Sequence, residues 1–177
     1  KMGAELVGSA ALSLGVAIIL ILIYITIRFN SFFALSSILA LIHDVSITIG
    51  IFILFNLEIS LPIIAAFLTI LGYSLNDTIV VFDRIRENLK LSKKNEDIFS
   101  ITNKSVNQTL SRTILTSLTT LIVLIILYFI GSYLIKLFTF ALIIGVIIGT
   151  YSSIFIAGFS FTILYNKYSH LLNKPES

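Results

Sequence analysis

Two carboxylic acids lie inside stretches of this sequence that are otherwise apolar. Asp77 falls within residues 68–90, LTILGYSLNDTIVVFDRIRENLK, and Asp44 follows His43 within residues 31–55. An ionised carboxylate is unfavourable in hydrocarbon, so an acid in such a stretch faces other helices or water and marks an ion or proton pathway. A carboxyl group poised between a paired, ionised state and a buried, protonated state can bind and release a proton. The first chemistry that the sequence indicates is therefore proton transfer.

Arg112 is the basic residue that could pair with Asp77. Asp77 precedes Asp83 by six residues, which is about 9 Å of helix, and Arg112 begins the next long apolar stretch near the same interface. Pairing would keep Asp77 ionised, whereas burial without a partner would favour its protonated form. Asp77 and Arg112 are thus candidates for a proton relay. The spacing explains equally well a fixed ion pair that only sets the register of two helices.

Further polar residues recur at helical spacing, as expected when helices turn polar faces toward one another and away from lipid. They fall into three sets: Ser37, Asp44 and Thr48; Thr69, Tyr73, Asn76 and Asp77; and Thr109, Arg112, Thr113, Thr116, Ser117 and Thr120. Asn76 is interpreted as a hydrogen-bonding residue between helices. His43 and Asp44 could form a titrating pair, although consecutive residues on a helix point about 100° apart.

One motif indicates helix packing rather than chemistry. Gly145-Val-Ile-Ile-Gly149 is a GxxxG pattern in an apolar stretch, in which small residues let a second helix approach closely. Ser153 and Ala157 extend the pattern into a ridge of small residues. We expect this ridge at a helix–helix contact.

Other kinds of chemistry find little support in the sequence. The 177 residues include no cysteine and two histidines, which excludes disulfides and thiolate metal sites and provides too few ligands for a histidine metal site. Neither a G-x-S-x-G nor an H-E-x-x-H motif is present, so the sequence predicts no enzyme, no catalytic residue and no bound cofactor. The net charge of +3 is distributed as in membrane proteins and does not indicate a nucleic-acid partner.

The elements that must position these residues are membrane-spanning helices. Hydrophobic residues make up 57% of the chain and charged residues only 12%, whereas soluble domains carry about 25% charged residues. A helix needs about 20 apolar residues to cross a bilayer. We predict an all-α, polytopic membrane helix bundle in one domain. Its five spans are expected at about 5–28, 31–55, 61–83, 109–131 and 137–165.

Residues 84–108 form a polar connector between the third and fourth spans. The third helix is predicted to continue past residue 83 into water. Ile98, Ile101 and Val106 then have the spacing of a short cytoplasmic amphipathic helix that lies on the membrane surface. Asn95 is the expected N-cap of that short helix.

The basic residues predict the orientation of the bundle. If the N-terminus of this segment lies outside and the C-terminus in the cytoplasm, only Lys1 and Lys136 of the 12 basic residues fall outside. This asymmetry follows the positive-inside rule. The cytoplasmic cluster would also attract anionic membrane lipid.

Several segments resemble the SecF family of bacterial protein-export membrane proteins. The most specific is GYSLNDTIVVFDRIRENL at 72–89. The family's order is kept by KMGAEL at 1–6, LIHDVSITIGIF at 41–52, NQTLSRTILTSLTTLIVL at 107–124 and FALIIGVIIGTYSSIFIA at 140–157. The His-Asp and Ser-Leu-Asn-Asp-Thr patterns are similar to SecF rather than to its sister subunit SecD. The resemblance covers nearly the whole chain.

The resemblance implies both a fold and a function. SecF-like chains belong to the resistance-nodulation-division (RND) superfamily and pair with SecD around a pseudo-two-fold axis. They act with the SecYEG channel, after the SecA motor, and use the proton gradient to complete the export of unfolded polypeptides across the bacterial cytoplasmic membrane. Asp77 and Arg112 match the family's proton-pathway acid and arginine. The supporting polar network is expected to consist of Asn76, Asp44, His43 and Thr116.

A SecF-like chain would also contain a first transmembrane helix and a periplasmic domain, which this sequence is expected to lack. Contact with the exported polypeptide would then fall outside it. Two other interpretations stay open. The chain could be half of an RND-type lipid or drug transporter, or a non-transporting assembly subunit in which Asp77 and Arg112 form a structural pair.

Overall fold

The computed structural model of the chain describes residues 2–92 and 96–172, and these residues are helical except at short connections. The helices are α1 (Met2–Arg28), α2 (Ser31–Leu54), α3 (Leu61–Leu91), α4 (Ile98–Ile130), α5 (Tyr133–Tyr151) and α6 (Gly158–Leu172). A π-helical segment, Ser152–Ala157, joins α5 to α6 without a break in the helix. No strand occurs in the described ranges, and the predicted all-α class is confirmed.

Four helical stretches are long and apolar enough to cross a membrane: α2, α3, α4 and the continuous helix Tyr133–Tyr168. Helix α1 adds the apolar stretch Leu12–Arg28. Large apolar side chains such as Ile27, Leu54 and Ile130 are exposed on the outside of the bundle, whereas serines, threonines and two aspartates are buried inside. This distribution is expected for a helix bundle that is surrounded by lipid, and the chain is a multi-pass membrane protein.

Local sequence signals explain how the helices begin and turn. Asn30 caps α2, because its side-chain oxygen accepts hydrogen bonds from the backbone N–H groups of Phe32 (3.0 Å) and Phe33 (3.2 Å). Pro62 lies in the first turn of α3, where no intrahelical N–H bond is lost. Asn56, in the turn between α2 and α3, has a φ of 50°, a left-handed conformation that asparagine adopts more readily than most residues.

The polar connector differs from its prediction. Residues 98–108 do not form a separate surface helix, because they are the first turns of α4, while α3 extends to Leu91 as predicted. Ile98 and Ile101 are buried, and Ile98 packs in the apolar cluster of the bundle rather than in lipid headgroups. Asn95 lies outside the described residues, and the residue that precedes α4 is Asp97.

Hydrogen bonds hold the extended ends of α3 and α4 together. The Asn88 side-chain amide donates to Ser105 Oγ (2.8 Å) and to Gln108 Oε1 (2.9 Å). Arg84 Nε also donates to Gln108 Oε1 (2.7 Å). These contacts, together with the burial of Ile98 and Ile101, explain why the amphipathic stretch packs on α3 instead of lying on the membrane.

Two apolar clusters form the core, and Asp44 lies between them along α2. In one cluster the rings of Phe33 and Phe161 stack with centroids 4.1 Å apart. In the other, Phe52 and Phe67 meet edge to face at 5.7 Å. On α2 the residues between these clusters include the buried Asp44 and Thr48. The middle of the bundle is therefore its polar part.

Candidate functional site

Asp77 is buried on α3 in the middle of the bundle. Its relative exposure is 4%, and its Oδ2 atom is buried with no hydrogen-bond partner among the described residues. The groups that act on this carboxyl are the charge of Arg112 and the hydroxyl of Ser117, both on α4. An unsatisfied buried oxygen is uncommon in proteins and calls for a water molecule or a proton as its partner.

Arg112 approaches Asp77 without forming an ion pair. The arginine is exposed on the surface of this chain. In the described part of the chain the close ion pairs join Arg28 to Asp83, His43 to Asp44 and Arg84 to Glu87. The carboxyl of Asp77 is thus influenced by a positive charge that does not hold it in contact. This arrangement differs from a locked structural pair.

Several hydroxyl groups lie in the helices beside Asp77. Ser117 Oγ and Thr150 Oγ1 share a hydrogen bond of 2.6 Å between α4 and α5. The hydroxyl oxygens of Thr78 and Thr113 are buried and, among the described residues, have no partner. Buried hydroxyls of this kind are typical binding partners of internal water. Thr78 belongs to the Ser-Leu-Asn-Asp-Thr pattern, which carried the resemblance but assigned it no role, and Thr150 escaped the sequence analysis because it lies in an apolar run.

Asp44 forms a second buried polar centre. Its relative exposure is 0%, and its Oδ2 accepts hydrogen bonds from Ser74 Oγ on α3 and from Ser152 Oγ (2.8 Å) in the π-helical segment. Its Oδ1 lies 3.0 Å from His43 Nδ1, so these neighbours do meet despite their angular separation on the helix. Ser74 was part of the Ser-Leu-Asn-Asp-Thr pattern but was given no role, and Ser152 was not singled out from the sequence. The small-residue ridge was the one signal near Ser152.

Asn76 and Thr116 lie on the surface of this chain rather than in its interior. Thr116 Oγ1 bonds to backbone carbonyls of its own helix, those of Arg112 (3.1 Å) and Thr113 (3.0 Å). Asn76 is exposed on this chain, and its role as a hydrogen-bonding residue between helices stays a prediction. With Arg112 they form an exposed polar face on α3 and α4, which we call the polar face. Polar side chains at membrane depth are usually covered by another helix.

Gly145 and Gly149 lie where α5 touches α3. A Cβ atom on Gly145 would overlap the side chain of Ile70, and one on Gly149 would lie 3.0 Å from Ser74 Cβ. The two glycines therefore set the close approach that brings the π-helical segment to Asp44. The described residues contain no group of three or more histidines and acids that could hold a metal ion.

The sequence matches a model of a known family over residues 1–167, described as the C-terminal part of the protein-export membrane proteins SecD and SecF. The protein translocase subunit SecF of Desulfurispirillum indicum is 52% identical over 159 residues, which cover 89% of this chain and 51% of that protein. SecF of Cereibacter sphaeroides is 52% identical over 157 residues, covering 89% of this chain and 48% of that protein. The chain thus spans about half the length of these curated relatives.

A solved structure has the same arrangement of helices. The crystal structure of SecDF from Thermus thermophilus, a translocon-associated membrane protein, superimposes with a TM-score of 0.85 at 46% sequence identity. The match covers 89% of this chain and 22% of the SecDF chain. The resemblance inferred from the sequence motifs is confirmed.

Proposed function

The chain belongs to the SecD/SecF family of protein-export membrane proteins, and from this premise we propose that it is the membrane part of a SecF subunit. In this role it acts with SecD to couple the proton motive force to late steps of protein export. The chain has the role of a transport subunit and not of an enzyme. The proton gradient takes the place of a cofactor.

The state of Asp77 is the observation that carries this proposal. The carboxyl is buried, one of its oxygens has no hydrogen-bond partner, and the charge of Arg112 reaches it without contact. A proton that binds Oδ2 makes the group neutral and suits its burial. Its release leaves an anion that attracts Arg112. Proton uptake and release thereby change the force between α3 and α4.

The polar face supports an assembly with SecD. Asn76, Arg112 and Thr116 are exposed on α3 and α4, and on the same two helices Tyr73 donates a hydrogen bond to Thr120 at 3.4 Å. A helix bundle that exposed these groups to lipid would leave their hydrogen-bonding capacity unused. The SecD half covers this face and completes the proton path.

The charge distribution supports a cytoplasmic location for the loop between α3 and α4. Arg28 binds Asp83 (3.3 Å) and Arg86 donates to the backbone carbonyl of Arg28 (3.4 Å), so the described basic groups cluster at one end of the bundle. Lys136 lies at the opposite end, at the start of α5. By the positive-inside rule the basic end faces the cytoplasm of a bacterium and contacts anionic lipid. The subunit then acts beside the SecYEG channel, after SecA, on polypeptide that emerges outside.

Replacing Asp77 by Asn in the full-length subunit tests the proposal, because the change keeps the side-chain volume and removes the proton-binding group. We expect the complex with SecD to assemble and to lose export that depends on the proton gradient, measured with a reporter protein. Asp83→Asn, at the half-exposed ion pair with Arg28, is the matched control and should keep that export.

Two outcomes would contradict the proposal. Export at the wild-type rate by an assembled Asp77→Asn complex would remove Asp77 from the proton path. Failure of Asp77→Asn alone to assemble, with Asp83→Asn intact, would instead assign Asp77 a structural role.

A further inference from the structure

His43 and Asp44 meet in the middle of the membrane part, in contact with helices other than the one that carries them. The His43 Nδ1 and Asp44 Oδ1 atoms are 3.0 Å apart. We propose that these two residues form a dyad that holds one exchangeable proton, and so provide a second proton-binding site in addition to Asp77. The role of this dyad in export rests on the proposed function, whereas its proton binding does not.

The charge balance around Asp44 carries the inference. Asp44 is completely buried, and an isolated carboxylate is strongly unfavourable away from water. Ser74 and Ser152 donate hydrogen bonds to it but bring no positive charge. Among the described residues, His43 is the one basic group at ion-pair distance from Asp44. A neutral pair requires one proton in addition to the one that a neutral imidazole already carries.

That proton can occupy two positions, and the total charge of the dyad is the same in both. It can make His43 an imidazolium beside an ionised Asp44, or it can lie on Asp44 Oδ1 beside a neutral imidazole. The same 3.0 Å hydrogen bond serves both states, and in both of them His43 Nε2 carries a hydrogen. Loss of the proton leaves an ionised Asp44 beside a neutral ring that is protonated at Nδ1 alone. A hydrogen on His43 Nε2 therefore distinguishes the neutral dyad from the dyad that has lost its proton, in which Asp44 is an ionised carboxylate.

The other titratable groups nearby do not replace His43 as the partner. The ring of Tyr151 on α5 lies 6.2 Å from the imidazole, and Asp77 lies three residues beyond Ser74 on α3. The described cations of α1 and α6 are engaged elsewhere. Arg28 binds Asp83, and Lys167 lies over the ring of Tyr168.

His43 also provides the route by which a proton reaches Asp44. Its side chain is 26% exposed, whereas that of Asp44 is not exposed at all. A hydronium ion transfers its proton to Nε2, the Nδ1–H bond breaks, and the Nδ1 proton moves to Asp44 Oδ1. The ring is left neutral, one water molecule is released, and Asp44 is protonated. The reverse sequence releases the proton.

The dyad is connected to two helices that can respond to its charge. Ser74 lies on α3 and Ser152 begins the π-helical segment, and both donate to Asp44 Oδ2. A protonated carboxyl is a weaker acceptor than a carboxylate, so proton uptake loosens both bonds. Because π-helical turns often occur at functional positions, the segment Ser152–Ala157 is the element that we expect to move.

Nitrogen NMR of the wild-type full-length SecD–SecF complex tests the dyad directly. Labelling histidine with ¹⁵N, together with isotope labelling of aspartate, selects the signal of a histidine that directly precedes an aspartate, as His43 precedes Asp44. We expect His43 Nε2 to carry a hydrogen, as both states of the neutral dyad require. Nε2 without a hydrogen at neutral pH would overturn the proposal, because Asp44 would then be a buried carboxylate with hydroxyl partners only.

A variant gives an independent measurement. In His43→Gln the imidazole that can carry the shared proton is gone, so a neutral site must hold its proton on Asp44, and infrared spectroscopy should show a carboxyl C=O band that Asp44→Asn in the same background removes. Asp83→Asn should leave the band in place. Absence of the band in an assembled His43→Gln complex would contradict the dyad. These measurements do not depend on export, so they remain decisive even where the Asp77→Asn experiment rejects the proposed function.

Discussion

At the scale of single residues, the chain places two acids in the middle of one bundle and treats them differently. Asp44 has three hydrogen-bonding neighbours, whereas Asp77 has a buried oxygen with none. The first arrangement stabilises a defined position, and the second leaves the hydrogen-bonding capacity of one carboxyl oxygen unused. The sequence alone presented the two acids as similar, because both lie at helical spacing with small polar residues.

Substitutions of Arg112 can distinguish an effect of its charge on Asp77 from an effect of direct contact between the two side chains. Because Arg112 acts on Asp77 without an ion pair, Arg112→Lys should keep a large part of the gradient-dependent export. Arg112→Gln should lose it. A fixed, bidentate pair would be damaged by both changes, since lysine cannot reproduce the guanidinium geometry. Export of a reporter by the two assembled complexes checks this expectation, and equal loss in both would contradict it.

At the scale of helices, glycines and polar contacts set how closely the elements pack. Helix α5 approaches α3 at Gly145 and Gly149, and α3 and α4 extend beyond the membrane spans as a hydrogen-bonded pair. The presence of long apolar helices followed from the apolar runs of the sequence. The sequence did not predict that the amphipathic stretch 98–108 would be part of α4. The same spacing of apolar residues suits both a membrane surface and a neighbouring helix.

Gly145→Ala should destabilise the bundle because its new Cβ overlaps Ile70. We expect a cost of about 1–3 kcal/mol, as for overpacked cores. Gly72→Ala is the matched control, since nothing lies within 4 Å of a Cβ there, and it should be neutral or stabilising because alanine favours helix by about 1 kcal/mol. Thermal unfolding in detergent measures both variants. Equal stability of the two would show that the close contact is absent.

Asn88→Ala should loosen the extended ends of α3 and α4. The variant removes two side-chain hydrogen bonds, to Ser105 and Gln108, which corresponds to about 1–3 kcal/mol at a buried site. Amide hydrogen exchange should increase over the first turns of α4 and remain unchanged near Asp77. Lys90→Ala, an exposed neighbour, should leave exchange as it is. Unchanged exchange in Asn88→Ala would mean that apolar packing alone holds these ends.

At the scale of the whole molecule, the chain has an apolar outside and a polar interior that is open on one side. The polar face of Asn76, Arg112 and Thr116 is exposed, although each residue is too polar to favour lipid. This exposed polar face is consistent with the proposed assembly with SecD. The same inference explains why Asp77 and Arg112 form no ion pair within the described residues.

Cysteine cross-linking tests this assembly. The segment contains no cysteine, so a single cysteine at Thr116 reports on one position. We expect Thr116→Cys to cross-link with cysteines introduced in the transmembrane helices of SecD. Phe155→Cys, which is exposed on the π-helical segment, should not. Equal cross-linking at both positions, or none at Thr116, would contradict the assignment of the polar face to SecD.

The sequence by itself determined the helical class, the number of apolar stretches and the family, because apolar length, charge position and specific motifs are local properties of the chain. It also identified Asp77, Arg112, Asp44 and His43 as the residues whose types could carry protons. Their roles in proton transfer remain predictions.

Only the tertiary structure decided which side chains meet. Asp44 accepts a hydrogen bond from Ser152, 108 residues away in sequence, and the charge of Arg112 and the hydroxyl of Ser117 act on Asp77. Such contacts depend on the rotation and depth of each helix against its neighbours. Helical spacing defines a face of one helix but not its orientation toward another. The packing of Gly145 and Gly149 against α3 fixes that orientation here, and the polar centre of the bundle follows from it.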